Sequence, residues 1–562
     1  MRRLILIVMA AGALTACGSG LSEDRASSTS SIPAITPTTP TPTAPAKALC
    51  QPGAAPLELS GSVTSADAKT NRVLPFTVTA GTGRVEMSYG WTEKSGPPSN
   101  MFTATTLDLG MWDQHGYRAA EGFRGWSGSR QGRIDKQQDP VFVQADSAER
   151  GYVPGTIEPG IWYADLGIAA VSPQGADWTM KIACKAATGS TPADDPVDKS
   201  HVARRAAGWY LGDFHMHAYH SNPKAPSWED FIAQARTAKL DFLMVTEYVT
   251  GYHWRTLGAV QRVNPDLLIW PGREVITYFG HVTGHGETPH VLEFRHGFED
   301  VNIREIQRLI KADGALFQVN HPTSFPGPVF ENFCRGCEFK LGDQIDWDQV
   351  DTIEILNGPV LATGEDVGLP AAVPGQIENP FMTTALKLWD DQLKAGHKIT
   401  GVSGSDSKGV DAPDQRARKG YGSSATAVYA TELSRAALTA GIKAGHAYVK
   451  TRGAAGSPTL MFEADGPNAQ HGIFGDTLKV AQTDTVTLRS TVTGGVGQLL
   501  TYIQNGVPVL QVPVLTDPFV FEFPAAMRNP LTEGSLGTYW RVETRDAQSR
   551  TTLGNPIFLK GP

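Results

Sequence analysis

The residues that constrain this chain most are six histidines and carboxylates, each placed where a β-strand runs out. They are His215 and His217 in GDFHMHAYHS, Glu274 in PGREVIT, His281 in FGHVTG, His321 in FQVNHP and Asp406 in GVSGSDSK. A strand alternates its faces, so His-x-His projects both imidazoles to the same side, as neighbouring ligands for one divalent ion. A carboxylate such as Glu274 can bridge to a second ion, which further histidines complete. The strands that carry these residues must therefore end together.

The rhythm around them fits that demand. From Trp209 onward, strands and helices alternate: WYLGDFHMH reads as a strand, and SWEDFIAQARTAKL as a helix with Ser227 as N-cap and Asp230 at the capping-box position. DFLMVTEY, DLLIWPGREVIT, GALFQVNHP, VDTIEILNG and HKITGVSGSD read as further strands, interleaved with helical segments such as VNIREIQRLIKADG and PFMTTALKLWDDQLKAG. Repeated strand–helix units imply a parallel sheet, and polar clusters at strand ends imply a barrel with its site at the carboxyl face.

At 562 residues the chain is too long for one core, and we expect a multidomain protein. Residues 49–190 show short apolar runs broken by Gly, Pro and Asn (PFTVT, RVEMSYGW, PVFVQA, GIWYADLGI, WTMKIAC), the pattern of an antiparallel β-sandwich. Its Trp and Tyr content raises carbohydrate binding, although aromatic residues in short strands more often form core. The barrel is expected over 205–455. Short alternating strands return in DTVTLRSTV, LLTYIQNG, PFVFEFP and TYWRVETRD, so a second small β-sandwich is expected over 456–562.

Residues 1–17 read as a secretory leader: Arg2 and Arg3, an apolar stretch from Leu4 to Leu14, then Leu14-Thr15-Ala16-Cys17, which resembles a bacterial lipobox and implies cleavage before a lipidated Cys17. Residues 18–48, rich in Ser, Thr and Pro, read as an extended tether that cannot bury a core. The expected location is outside the cytoplasm, anchored by lipid to a bacterial membrane. Removing Cys17 from five cysteines leaves four, which suits an oxidising compartment. Cys50 and Cys184 bracket the first sandwich and could staple its ends. Cys334 and Cys337 form a Cys-x-x-Cys pair, read as a local disulfide because no two further zinc ligands lie close by.

GDFHMHAYHS resembles the first motif of the PHP (polymerase and histidinol phosphatase) superfamily, and DFLMVTEY, PGREV, NHP and GSDSK follow in order as its later motifs. The spacing in PGREVITYFGHVTG and the tail ATAVYATELSRAALTAGIKAGHAYVKT resemble more narrowly the CehA/McbA-type branch, whose namesakes hydrolyse carbamate and amide compounds. GFRGWSGSR and GYVPGTIEPGIWYADLG resemble the N-terminal sandwich of that branch. The resemblance implies a distorted (β/α)7 TIM-like barrel. It assigns His215, His217, Glu274 and Asp406 to one metal, and Glu274, His281 and His321 to a second, with Glu274 bridging.

The sequence departs from the superfamily at a third metal site. The usual Thr-Asp-His is Thr246-Glu247-Tyr248, and the usual Ser-Asp-x-His is Ser405-Asp406-Ser407-Lys408. A phenol and an ammonium are poor ligands for zinc, so two divalent ions are expected, with zinc, manganese and iron all compatible with the donors. Lys408 would hold an anionic substrate group or else pair with Glu247 away from the chemistry. Tyr248 would donate a proton to a leaving group. Asp213, next to the first ligand pair, is expected to accept an imidazole N–H and so orient that ring. Arg273, beside Glu274, should point away from the site. His220, His253, His285, His290 and His296 lack ligand spacing, His220 being the best placed of them.

These features point to a metal-dependent hydrolase of a small-molecule ester. A water shared by two divalent ions loses its proton near neutral pH, its pKa falling from 15.7 toward about 7. Superfamily resemblance and Lys408 favour phosphoesters, whereas branch resemblance favours carbamate, amide or carboxylic ester bonds. A reading from a different class is a non-catalytic surface protein that binds through its sandwiches. A formal net charge of −8 provides no broad cationic surface, so no nucleic-acid partner is expected.

Overall fold

The computed structural model describes residues 48–96, 101–129, 139–221, 225–286, 293–368, 375–409, 412–413, 415–526 and 537–561. The leader, Cys17 and nearly all of the tether lie outside the described residues. No helix among the described residues is long and apolar enough to cross a membrane. The architecture is β-rich, with few helices.

The N-terminal segment forms two facing sheets. In one, Leu49–Cys50, Thr70–Val78, Gly160–Ala170, Thr106–Trp112 and Phe123–Trp126 lie side by side. In the other, Leu57–Val63, Ala176–Lys185, Arg84–Glu93 and Val141–Gln144 do so. Alternate side chains meet between them, among them Met87, Leu109, Trp162, Leu166 and Met180. The Cys50–Cys184 disulfide joins one sheet to the other. Trp91, Trp112, Trp162 and Trp178 are all buried, so most of the aromatic content that raised carbohydrate binding is core.

The strands that surround the predicted ligands are β1 (Gly208–Met216), β2 (Phe242–Tyr248), β3 (Leu268–Thr277), β4 (Gly280–His285), β5 (Leu316–Val319), β6 (Thr352–Asn357) and β7 (Thr400–Gly404). Helices α1 (Trp228–Thr237), α2 (Gly258–Val263), α3 (Ile303–Ala312) and α4 (Pro380–Ala395) fall between them. Helix α1 begins at Ser227, whose Oγ accepts the Asp230 N–H at 3.1 Å, and turns Phe231, Ile232 and Ala235 inward. Helix α4 begins at Asn379 and Pro380 and stops at Gly396 in the left-handed region, as expected of a helix C-terminus.

The expected distorted (β/α)7 barrel is seen in part. Strands β1, β2 and β3 are parallel, but β3 and β4 form an antiparallel hairpin, β4 is antiparallel to β5, and β5, β6 and β7 run parallel again. Residues 320–351 join β5 to β6 without an α-helix. The row nevertheless returns on itself beyond β7: Met216 bridges Ser407, the Asp406 N–H donates to His215 O at 2.8 Å, and the His217 N–H donates to Ser407 O at 3.0 Å.

The central sheet continues past residue 456 into the C-terminal strands. Strand β1 pairs with β8 (Ala425–Ala430), β8 with β9 (Ala447–Lys450), and β9 with Arg550–Gly554 through Tyr448 and Gly554. The C-terminal strands Thr538–Arg545, Leu499–Gln504 and Val507–Pro513 extend this same sheet. A separate sheet of His471–Ile473, Thr459–Asp465, Thr485–Thr493 and Phe519–Ala526 covers them. Leu460, Phe462, Leu488, Tyr502 and Val542 form part of the core between the two.

Candidate metal centre

All six predicted ligands meet at one end of the sheet, where His281 enters from the amino end of the antiparallel strand β4. His215 is the penultimate residue of β1 and His217 follows the strand, with Nε2 atoms 3.2 Å apart. Glu274 on β3 faces both: its Oε2 is 3.3 Å from each Nε2. Its other oxygen, Oε1, lies 3.1 Å from His281 Nδ1 and 3.4 Å from His321 Nε2. Asp406 Oδ1 lies 3.0 Å from His217 Nε2 and 3.7 Å from His215 Nε2. Donor atoms of His215, His217 and Glu274 form one cluster, and those of Glu274, His281 and His321 another. Asp406 clusters with His215 and His321, so it reaches both sides of the bridging carboxylate.

Hydrogen bonds on the outer side of each ring indicate what the inner side offers. His215 Nδ1 donates to Glu354 Oε1 at 2.9 Å. Ser221 Oγ donates to Glu247, so it accepts from His217 Nδ1 at 3.1 Å. His281 Nε2 donates to Arg335 O at 3.0 Å, and His321 Nδ1 to Cys337 O at 3.1 Å. Assigned from these acceptors, each neutral imidazole turns a lone pair toward the two central carboxylates. Converging lone pairs and anions repel one another unless a cation lies among them, and this donor set fits divalent ions.

Where no cation is bound, a proton on His215 answers the same crowding of carboxylates. Burial opposes charge on His215, yet the carboxylates of Glu354, Glu274 and Asp406 outweigh it and hold its pKa well above the usual imidazole value. Burial likewise opposes ionisation of Glu274, but the facing histidines, His215 first, hold its pKa well below the carboxylate range. Asp406 is held low against burial by Lys408, His215 and His217.

Two ligands sit on unusual backbone. His321 has φ 27° and Asp406 φ 51°, the left-handed region that side chains with a Cβ seldom adopt. The His321 N–H donates to Glu354 Oε2 at 2.7 Å and the Asp406 N–H to His215 O, which pins both turns.

Lys408 pairs with Asp406, Nζ to Oδ1 at 3.1 Å, and lies 5.6 Å from the centroid of the Tyr248 ring. It does not pair with Glu247, whose carboxylate accepts from the His220 and Ala218 backbone N–H groups and from Ser221. The Tyr248 ring stacks at 4.0 Å on His217, and burial, with Asp406 and Glu274 nearby, pushes its hydroxyl up to about 12.

One expectation is corrected outright. Asp213 does not orient an imidazole: its oxygens accept the backbone N–H groups of His215, Ser405 and Gly422, at 3.1, 2.9 and 2.9 Å. Burial raises its pKa to about 6. The imidazole acceptor is Glu354, which sequence reasoning missed. A carboxylate inside the apolar strand IEILN was the available signal, because a buried carboxylate must have partners.

Arg273 points away as expected, its Nε donating to Thr250 O at 3.2 Å. His253 bonds Gly272 O, His285 bonds Gln318, and His296 packs on Phe279. His220 packs against Tyr219, Trp228 and Tyr252, outside the ligand clusters. His290 lies outside the described residues.

A cavity of about 750 Å³ opens over the centre. Glu274, His281, His321, Asp406, Tyr248 and Lys408 line its floor. Asp108 and Trp126 of the N-terminal sandwich, with Arg335 and Phe333, line its walls.

No family model matches the chain, and no curated protein matches it. Among solved structures, one match is a two-domain protein from Bacteroides vulgatus ATCC 8482, described as containing a predicted PHP-like metal-dependent phosphoesterase. It is 14% identical with a TM-score of 0.31, over 66% of this chain and 99% of that chain.

Proposed function

We propose that this protein is a metal-dependent hydrolase of the PHP kind, acting on phosphoester bonds and exported as a lipoprotein. The observation that carries the reading is Glu274 set between two groups of ligands, one oxygen toward each, beneath an open cavity. His215, His217 and Asp406 would hold one ion and His281 and His321 the other, with Glu274 shared. Bound there, two divalent ions would acidify a water and polarise the oxygen of the bond to be cleaved.

The chain's own residues supply the rest. Lys408 keeps its charge on the cavity floor, where it offsets negative charge on an anionic substrate group. Tyr248 stays protonated at neutral pH and is placed to donate to a leaving oxygen. Glu354 and the carbonyls of Arg335 and Cys337 keep the imidazoles aligned.

The test is metal content by plasma mass spectrometry on the full chain and on His321→Ala, with hydrolysis of phosphate esters, carbamates and carboxylic esters assayed on both. About two equivalents of zinc, manganese or iron in the wild type, fewer in the variant, and phosphate release lost with them would support the proposal. Turnover confined to carbamates or carboxylic esters would move the reading to the CehA/McbA-type chemistry. A folded protein that takes up no metal would overturn it in favour of a binding protein.

A further inference from the structure

The two histidines on the second side of Glu274 share a feature that those of the first side lack. His281 Nε2 donates to Arg335 O at 3.0 Å and His321 Nδ1 to Cys337 O at 3.1 Å, so both outer nitrogens are held by one four-residue loop. That loop is closed on itself by the Cys334–Cys337 disulfide. Its middle residue, Gly336, has φ 89°, and a Cβ there would stand 2.2 Å from Thr277 O and 2.8 Å from His281 Nε2. The loop backbone therefore presses directly on the ligand ring. Its neighbours fix it further: Phe325, Phe330 and Phe333 pack together beside it, and Thr323 bridges Glu338 just beyond. His215 and His217, by contrast, are held from side chains, Glu354 and Ser221.

We infer that the Cys334–Cys337 disulfide loop is the positioning element of the second metal site, its two carbonyls setting the tautomer and aim of His281 and His321. The inference rests on the two-metal reading above. A carbonyl accepting the outer N–H leaves the inner nitrogen unprotonated and raises its basicity, and loss of such an outer acceptor usually weakens metal binding about ten- to a hundredfold. Joining residues three apart by a disulfide restricts how far those carbonyls can swing. Because the first site has its own supports, the loop should tune one site and leave the other alone.

The test is a Zn²⁺ titration of the metal-stripped full chain, followed by calorimetry, in the wild type, in Cys334→Ser/Cys337→Ser, and in Gly336→Ala, which keeps both cysteines. The expected result is two equivalents in the wild type, with the first unchanged and the second weakened about ten- to a hundredfold in both variants. Gly336→Ala keeps the question answerable if the serine variant fails to fold, as read by circular dichroism. Folded variants that bind both equivalents as the wild type does, or that lose both to the same degree, would overturn the inference while leaving the two-metal reading intact. A wild type that binds no zinc would overturn both.

Discussion

Glu354 divides its two oxygens between separate ligands: Oε1 takes the Nδ1–H of His215, and Oε2 takes the backbone N–H of His321. In Glu354→Gln one of those donors must face an amide NH₂ instead. We expect the variant to fold, to bind metal about ten- to a hundredfold more weakly and to lose turnover in step, as read by metal titration and kcat. Unchanged affinity would show that the carboxylate charge is not needed there. A second prediction concerns Asp366, which accepts from Thr363 N–H and Oγ1, both at 2.8 Å, and pairs with Arg418 and Lys419. Burial opposes its ionisation, but Lys419, Thr363 and Arg418 outweigh it and lower its pKa from 3.8 to about 2. A depressed folded-state value means the stabilisation is complete above pH 3.8 and is lost as pH falls toward 2. Asp366→Asn should thus cost about 2 kcal/mol at neutral pH and progressively less as pH falls through about 2, measured by denaturant unfolding across that window. The contrast between Glu354 and Asp213 marks where sequence is legible at this scale. Ligands announce themselves by type and spacing, whereas which carboxylate reaches which ring depends on strand register, and Asp213 points to backbone amides instead.

At the scale of elements, the site depends on how closely β1, β6 and β7 approach. A Cβ on Gly404, the last residue of β7, would lie 2.3 Å from His215 Cβ and 2.5 Å from Glu354 Oε1. Gly404→Ala should therefore displace the His215–Glu354 pair and reduce metal content at the first site, while circular dichroism stays close to wild type. Normal loading of both sites would refute this close fit. The existence of the strands and the position of their carboxyl ends were legible because alternation and strand-end ligands are local signals. Their direction was not, since a period of two reads the same in a parallel or an antiparallel strand. One clue lay in plain distance along the chain. Only Tyr278 and Phe279 separate β3 from β4, far fewer than a parallel crossover needs, so this connection had to be a hairpin. It is this hairpin that brings His281 back across Glu274. The stretch from 320 to 351, which has no α-helix, was equally hidden, because its structure comes from packing around the ligands rather than from periodicity.

For the whole molecule, the flanking domains are tied to the centre by buried arginines and one of them builds the cavity wall. Trp126 of the N-terminal sandwich packs edge-on to Tyr248 at 6.4 Å, so Trp126→Ala should raise KM for the best ester substrate severalfold with little change in kcat. A change in kcat alone would place Trp126 outside substrate contact. Arg295 anchors the same sandwich, bonding Asp165 at 3.2 Å and Tyr117 O at 2.6 Å. On the other side, Arg541 of the C-terminal strands donates to both oxygens of Asp390 in α4, at 3.1 and 2.8 Å, and Tyr539 adds a third bond at 2.8 Å. Arg541→Met removes the cation and leaves Asp390 and Glu543 buried without it. Breaking a buried pair in this way costs about 3–5 kcal/mol. Because the central sheet continues without a break from β9 into Arg550–Gly554, that loss belongs to one cooperative unit rather than to a detachable C-terminal domain. Scanning calorimetry of Arg541→Met should accordingly show the transition that contains the metal centre shifted down by several degrees. A new early transition with the metal-centre melt unmoved would show instead that the C-terminal strands unfold independently, despite sharing the sheet.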